Sequence, residues 1–303
     1  MSVEGIKLGN GGILVVDKPR GMTSRAVVDR VLRLVGRVKV GHAGTLDPLA
    51  SGVLVVCIGP ATRLVEEIQA LPKSYRTVVR LGARSDTLDA DGRIECVENP
   101  RVPSPDELAP ALAPLVGDVD QVPPEYSALK IGGRRAYDLA RSGHAVALAA
   151  RRVRIDRIAV IRYAWPHLEL EIDCGSGTYI RSIARDVGEA LGCGGLVDVL
   201  VRTRIGPFSL AAAADLDGLS AGSVASWLRP AVEAVAGLPR LVLDPNQVAA
   251  IAAGRRLPAG LEIAAGLAPG PIALLDPDGR LAALGELDQA GEWIQPRKVF
   301  PDQ

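Results

Sequence analysis

Aromatic side chains are scarce in this sequence: three Trp, five Tyr and two Phe make up 3% of 303 residues. A core must therefore be built mainly from Val, Leu, Ile and Ala. Cysteine is rarer still, and Cys57, Cys96, Cys174 and Cys193 are too scattered for a disulfide framework. No two of them form a C-x-x-C pair, and His42, His144 and His167 lie far apart, so no structural metal site is expected. No apolar run approaches the ~18 residues of a membrane span. The opening MSVEGIKLGN lacks the basic and apolar blocks of a secretory signal, so a soluble, cytoplasmic protein is expected. Phosphate-binding loops are missing too: Gly175-Ser-Gly177 opens a helix, but Ile180 stands where a dinucleotide fingerprint needs its third glycine. No cofactor is expected.

What is present is a globular composition, 48% hydrophobic and 23% charged, which excludes wholesale disorder. The 35 basic and 35 acidic residues cancel overall but are segregated along the chain. Lys130, Arg134, Arg135, Arg141, Arg151, Arg152 and Arg154 have only Asp138 among them, whereas nine acids from Asp86 to Asp120 face three arginines. A basic block of this kind can dock a polyanion even on a neutral protein, or can be a solvated surface.

Local patterns predict both kinds of element without a strict βα alternation. Strands are expected at Gly12–Val16, Val53–Ile58, Tyr75–Leu81, Val153–Val160 and Leu168–Asp173. Helices are expected from Thr23 or Ser24 to Val35, from Ala61 to Ala70, after Ser104-Pro105 with its capping-box Glu107, and from Thr178 to Ala190. Residues 41–48 read as a Gly-rich loop and 118–128, with Pro123-Pro124, as an exposed one. From Leu238 onward the texture changes to a short helix at Asp244-Pro245 and strands joined by Asp276-Pro-Asp-Gly279. The expected fold class is α+β, with a mixed, largely antiparallel central sheet and helices in residues 1–237 and a small β-rich domain in 238–303.

Asp47 is the carboxylate that stands out. Gly41 and Gly44 allow close backbone approach to a ligand, and Pro48 stiffens the loop, a setting that suits a nucleophile or base. An Asp-Pro turn in which the side chain caps local amides fits the same residues. On their own, Tyr75 reads as an inward-packed strand aromatic, His42 as a loop histidine and Arg181 as a helix-surface charge.

Taken together, the blocks carry a resemblance. Gly12-Ile-Leu-Val-Val-Asp-Lys-Pro19 with Thr23-Ser24, and the run Lys39 to Leu54 containing Gly44-Thr-Leu-Asp47-Pro48, resemble the TruB family of tRNA pseudouridine-55 synthases. Ser74-Tyr75-Arg76, Asp86 to Gly92, Gln121 to Lys130, Gly177-Thr-Tyr-Ile-Arg181 and Leu200 to Phe208 continue the match in order. The resemblance implies a pseudouridine synthase fold, a PUA-like RNA-binding domain at 238–303 and a thumb-like RNA-binding insertion at about 121–153. It also implies a metal-free reaction on uridine 55 in the tRNA T-loop, with tRNA as partner and the chain working as a monomer without an obligate protein partner. Asp47 matches the nucleophile, Tyr75 the aromatic that stacks on the flipped base and removes its C5 proton, and Arg181 the partner of the aspartate. Asp89 matches an acid that holds the arginine, His42 a residue entering the T-loop stack, and Tyr179 and Leu200 the base pocket. Lys18 belongs to the first family block, and Lys130, Arg141, Arg151 and Arg152 would grip the RNA backbone. Val201 stands where the family has a basic residue, which removes one expected phosphate contact. Rival readings are a non-catalytic RNA-binding protein and an aspartate-nucleophile hydrolase of a small substrate.

Overall fold

Two strands with apolar residues on both faces set the architecture. In β1 (Gly12–Lys18) only Asp17 is exposed, and β3 (Ser51–Ile58) is buried from Gly52 onward. Ile13, Val15, Val53, Val55 and Cys57 face one side of the sheet, and Leu14, Val16, Leu54, Val56 and Ile58 face the other. Such strands can sit only in the interior of a sheet covered on both sides. The computed structural model describes residues 11–126, 130–131, 134–135, 148–259 and 270–300, with only the backbone at 130–131 and 134–135. Arg141 and the side chain of Lys130 therefore lie outside the described residues, as does most of the expected thumb.

The main sheet has eleven strands. Its path runs from the short strand Ala214–Asp215 through β1, β3, β8 (Gly195–Ile205), β4 (Lys73–Leu81), β7 (His167–Cys174) and β6 (Arg151–Ala164) to β5 (Gly117–Gln121). Along this path the pairings are antiparallel except at β1 with Ala214–Asp215 and at β3 with β8. Helix α1 (Ser24–Val35) covers one side of β1 and β3 with Val27, Val31 and Val35. The Thr23 hydroxyl caps it by accepting from the Ala26 amide at 3.1 Å, and Gly36, at φ 78°, ends it.

The other half of the sheet carries its own core. Leu168, Leu170, Ile172, Val79 and Val197 meet Leu108 and Leu112 of α3 (Pro105–Leu112) and Ile180, Ile183, Ala184 and Val187 of α4 (Ile180–Ala190). Leu46, Leu49 and Ala50 of the Asp47 loop are buried in this same cluster, so the loop is anchored in the interior.

The structure corrects several expected boundaries. Residues 117–121 form β5 and not a loop; its antiparallel register sets Asp120 opposite Arg152 and Asp118 opposite Arg154, each pair 3.5 Å apart. The acidic and basic segments thus neutralise one another in part across a strand pair. The Gly-rich loop begins only at Gly44, because Val40–Ala43 forms strand β2 against β3. The helix expected from 61 to 70 is a 3-10 turn at Gly59–Leu64 followed by α2 (Val65–Ala70). β8 had no counterpart among the expected strands.

The terminal segment forms a five-stranded sheet in the order β9 (Arg240–Val242), β10 (Pro271–Leu275), β11 (Leu281–Leu287), β12 (Trp293–Val299) and Leu257–Pro258. Helix α5 (Pro245–Ala252) starts at Asp244 with a capping box to Gln247. Ala273, Leu275, Leu281, Leu284 and Phe300 pack into the same cluster as Ile13, Val53 and Val55. Lys298 adds ion pairs to Glu66 at 3.0 Å and Glu67 at 2.8 Å on α2.

Helix α4 and β8 meet backbone to backbone at a pair of glycines. A Cβ on Gly188 would lie 2.3 Å from the Gly195 nitrogen, and one on Gly195 2.4 Å from the Ala184 carbonyl oxygen. Gly188→Ala is expected to cost about 1–3 kcal/mol by overpacking. The exposed neighbour Glu189→Ala should stay within about 0.5 kcal/mol. Urea unfolding of the two variants against the parent checks the difference.

Candidate active site

Asp47 sits at the tip of a loop held from three directions. The Ser24 hydroxyl, at the start of α1, donates to the Leu46 carbonyl at 3.0 Å and accepts from the Leu46 amide at 2.8 Å. Arg202 of β8 donates to the carbonyls of Gly44 at 3.0 Å and Thr45 at 3.4 Å. Leu46 and Leu49 on either side are buried. The result is a carboxylate that is 41% exposed on a backbone that is fixed.

Its partner is Arg181, in the first turn of α4. Arg181 Nη2 lies 2.9 Å from Asp47 Oδ2, and Nη1 lies 3.5 Å from Asp89 Oδ2. The same guanidinium donates to the carbonyls of Thr87 and Tyr126, each at 2.9 Å. Arg181 and Asp89 are both buried, so the pair is strongly held and leaves Asp47 as the solvent-facing end of a three-member network. Burial pushes the Asp89 carboxyl up, and the Thr87 hydroxyl and Arg181 oppose that rise. The helix start is itself clamped: Gln121 accepts from the Tyr179 amide at 2.8 Å and donates to the Tyr179 carbonyl at 3.1 Å.

Asp47 and Arg181 line a cavity of about 350 Å³ with Thr45, Tyr75, Tyr179, Leu200, Arg202, Gln69 and Lys73. Tyr75 lines it from β4 and is nearly buried; burial raises its hydroxyl above the ordinary phenol range, and the charge of Arg202 opposes this. Lys73, two residues before it, donates to the Leu71 carbonyl at 2.7 Å and to that of Gln69. Burial, with the charge of Arg202 adding to it, lowers the Lys73 amine to about 8. Among the described residues no group of three or more His, Cys, Asp or Glu is placed to hold a metal ion. The arrangement presents a carboxylate, an aromatic face and two guanidinium groups to a ligand of nucleoside size.

A family model for TruB family pseudouridylate synthase (N terminal domain) matches residues 32–180, and one for the tRNA pseudouridylate synthase B C-terminal domain matches 181–235. A curated tRNA pseudouridine synthase B from Mycobacterium sp. (strain KMS) is 45% identical over 281 residues, 91% of this chain and 92% of that one. The chain belongs to the TruB family. Another relative of the same name, from Mycobacterium bovis (strain BCG / Pasteur 1173P2), is 44% identical over 96% of this chain and 98% of its own length. Among solved structures, a chain of a Cbf5-Nop10-Gar1 complex superposes with a TM-score of 0.74 at 25% identity, covering 97% of this chain and 85% of that one. A chain of an H/ACA RNP bound to a substrate RNA containing 2'-deoxyuridine gives 0.72 at the same identity. The α+β architecture is therefore the pseudouridine synthase fold.

Of the residues that the TruB resemblance singles out, Asp47, Tyr75, Arg181, Tyr179 and Leu200 come together on the cavity wall, with Asp89 directly behind Arg181. His42 lies outside the wall, half-buried in β2, and its Nδ1 has no partner among the described residues. Burial and the charges of Arg202 and Arg25 lower its pKa, so the ring is neutral at pH 7. Arg151 and Arg152 are exposed on β6, Arg152 facing Asp120. Arg202 and Lys73 are cavity residues that the sequence reading did not single out. Arg202 had a signal: it lies two residues beyond Leu200 in a strand, where period-2 geometry gives both the same face.

Lys18 is enclosed by its own turn. Its side chain is fully buried and its ammonium donates to the carbonyls of Met22 at 2.6 Å and Pro19 at 2.9 Å, fixing the turn into α1. Burial drives its pKa from 10.5 down to about 8, with Asp47 opposing and Arg202 reinforcing the shift. Between these values the unfolded chain holds a proton that the folded chain has released, so stability rises with pH across the window and the penalty is complete below it. In Lys18→Met, the slope of unfolding free energy against pH between about 8 and 10.5 is expected to fall by up to about 1.4 kcal/mol per pH unit. Urea titrations at several pH values across that window measure it.

Proposed function

We propose that this chain converts uridine 55 of the tRNA T-loop to pseudouridine, with Asp47 as the nucleophile. The observation that carries this reading is the setting of Asp47: an accessible carboxylate, 2.9 Å from a buried guanidinium, at the mouth of a cavity floored by Tyr75 and Leu200. A carboxylate can act as a nucleophile without a metal to activate it. Arg181 keeps it aimed.

In this reading the target base leaves its stack and enters the cavity, where the ring of Tyr75 offsets part of the unstacking cost. Asp47 attacks the nucleotide and the N1–C1′ bond breaks. The uracil turns and its C5 bonds to the ribose C1′ as the bond to Asp47 breaks and releases the carboxylate; the C5 proton then passes to the Tyr75 oxygen, acting as phenolate, and N1 takes up a proton. No atom is gained or lost overall. His42, on the strand leading into the Asp47 loop, enters the space the base vacates. The segment 121–153, including Lys130, Arg141, Arg151 and Arg152, grips the T-arm backbone as a thumb, and the sheet of 238–303 adds a second RNA contact. The chain acts as a monomer in the cytoplasm.

Mapping pseudouridine in a T-arm stem-loop after incubation with the pure protein tests the reaction and its position directly. Asp47→Asn is expected to abolish product while tRNA affinity stays within a few-fold, because binding is spread over many phosphate contacts. Turnover by that variant would remove Asp47 from the mechanism. Replacing Arg151 and Arg152 together by Ala should raise KM more than it lowers kcat. It should also flatten the log–log salt dependence of binding by about 0.7–0.9 for each phosphate that is no longer neutralised.

A further inference from the structure

Among the described residues Arg202 is the largest fully buried side chain, and it carries a charge. Among the described residues it has no carboxylate within ion-pair distance. Burial disfavours its charged form, and Tyr75 and Asp47 supply the opposing influences. Burying an unpaired guanidinium is costly, so a fold that keeps one where a neutral donor could cap a carbonyl is using the charge or its shape.

Its partners identify the use. Nε donates to the Val53 carbonyl at 2.8 Å, Nη2 to Gly44 at 3.0 Å and Nη1 to Thr45 at 3.4 Å. All three carbonyls belong to the stretch that carries Asp47. Tyr75, on a different strand, stands directly across from Arg202 and lines the same cavity, and each side chain influences the charge state of the other. β8 runs between β3 and β4, and Arg202 stands in register with Gly52 on one side and Tyr75 on the other. The chain closes tightly around it: Gly52, at φ 96°, leaves no room for a Cβ, which would lie 2.3 Å from the Arg202 carbonyl oxygen. A flexible point charge is poorly suited to hold these three carbonyls together; a planar fork can.

We propose that Arg202 is a positioning residue for the isomerisation, its guanidinium locking the Tyr75 oxygen to the carbonyls of the Asp47 loop so that nucleophile and phenol keep one fixed geometry. This rests on the function proposed above. A guanidinium has no acceptor, so the proposed contact is a donation to the phenol oxygen, with the Tyr75 hydroxyl hydrogen left to turn to the cavity. A cationic donor at that oxygen also favours the phenolate, and so moves Tyr75 toward the form that can accept a proton from C5. Arg202 touches no reacting atom in this scheme; it acts through Tyr75 and the loop.

The test combines kinetics with a direct view of the phenol. Arg202→Lys and Arg202→Gln, each checked for an intact unfolding midpoint, are compared with the parent on a T-arm stem-loop. In protein labelled with 13Cζ-tyrosine, the Tyr75 resonance is assigned by its absence in Tyr75→Phe. The expected result is a fall in kcat of about 10²-fold in both variants, with tRNA affinity within a few-fold. The Tyr75 resonance should move and titrate at higher pH than in the parent, and Lys should not rescue it. Unchanged kcat, or a Tyr75 resonance and titration that do not respond to loss of Arg202, would overturn the proposal. If the variants do not fold, the parent still decides: in the stem-loop-free protein a Tyr75 signal typical of a buried phenol with no cationic donor refutes the contact, and one displaced toward phenolate supports it. The NMR reading does not use turnover, so activity in Asp47→Asn would defeat the proposed reaction without touching this result. An inactive Asp47→Asn beside a fully active Arg202→Lys would defeat only the role of Arg202.

Discussion

The buried guanidinium of Arg181, shared between Asp47 and Asp89, is the contact on which the site depends. A cation taken out of water is tolerable only with good geometry and full hydrogen bonding, and here the structure supplies two carboxylates and two carbonyls. Each partner comes from a different part of the chain: the Asp47 loop, the turn around Thr87 and Asp89, and the residues that follow β5. The α4 helix that presents Arg181 is placed by the glycine contact with β8, and β8 carries Leu200 and Arg202 into the same cavity. One desolvated charge therefore fixes the relative positions of four segments that share little sequence proximity.

Charge elsewhere follows a different rule. The acidic stretch before residue 120 and the basic stretch after 130 look, in one dimension, like two separate fields. In the fold part of each meets across β5 and β6, where exposed pairs at 3.5 Å stabilise little but cancel much. What remains uncancelled on this edge is smaller than the sequence implies, and Arg151, opposite the neutral Gln121, is the residue there that keeps its charge unopposed in the register.

Much of the site was legible because its residues sit in contiguous blocks with distinctive neighbours. The Gly44 to Pro48 run pointed to Asp47, and the capped helix starts at Thr23, Ser104 and Asp244 were read from local chemistry that acts over three or four residues. The missed features are those decided by partners far away in sequence. β5 looked like loop because its alternation of Asp with Val and Gln makes sense only opposite Arg152 and Arg154. β8 was hidden behind its own charged residues, and Arg202 reads as surface charge until one knows that Gly44, Thr45, Val53 and Tyr75 surround it. Lys18, legible only as a member of a matched block, has its ammonium enclosed by the turn it holds together.

The terminal sheet adds a constraint on how this protein can change. Its strands β10 and β11 contribute Ala273, Leu275, Leu281 and Leu284 to the cluster that covers one face of β1 and β3, and Lys298 is fastened to the helix whose far end reaches Gln69 in the cavity wall. A module joined only by a linker can be exchanged, lost or moved along a gene without harm to its neighbour. This one supplies part of its neighbour's interior. Drift in its inward residues must be matched by Ile13, Val53 and Val55, so the two parts are bound to co-evolve as a single folding unit, whatever boundary the chain's composition draws between them.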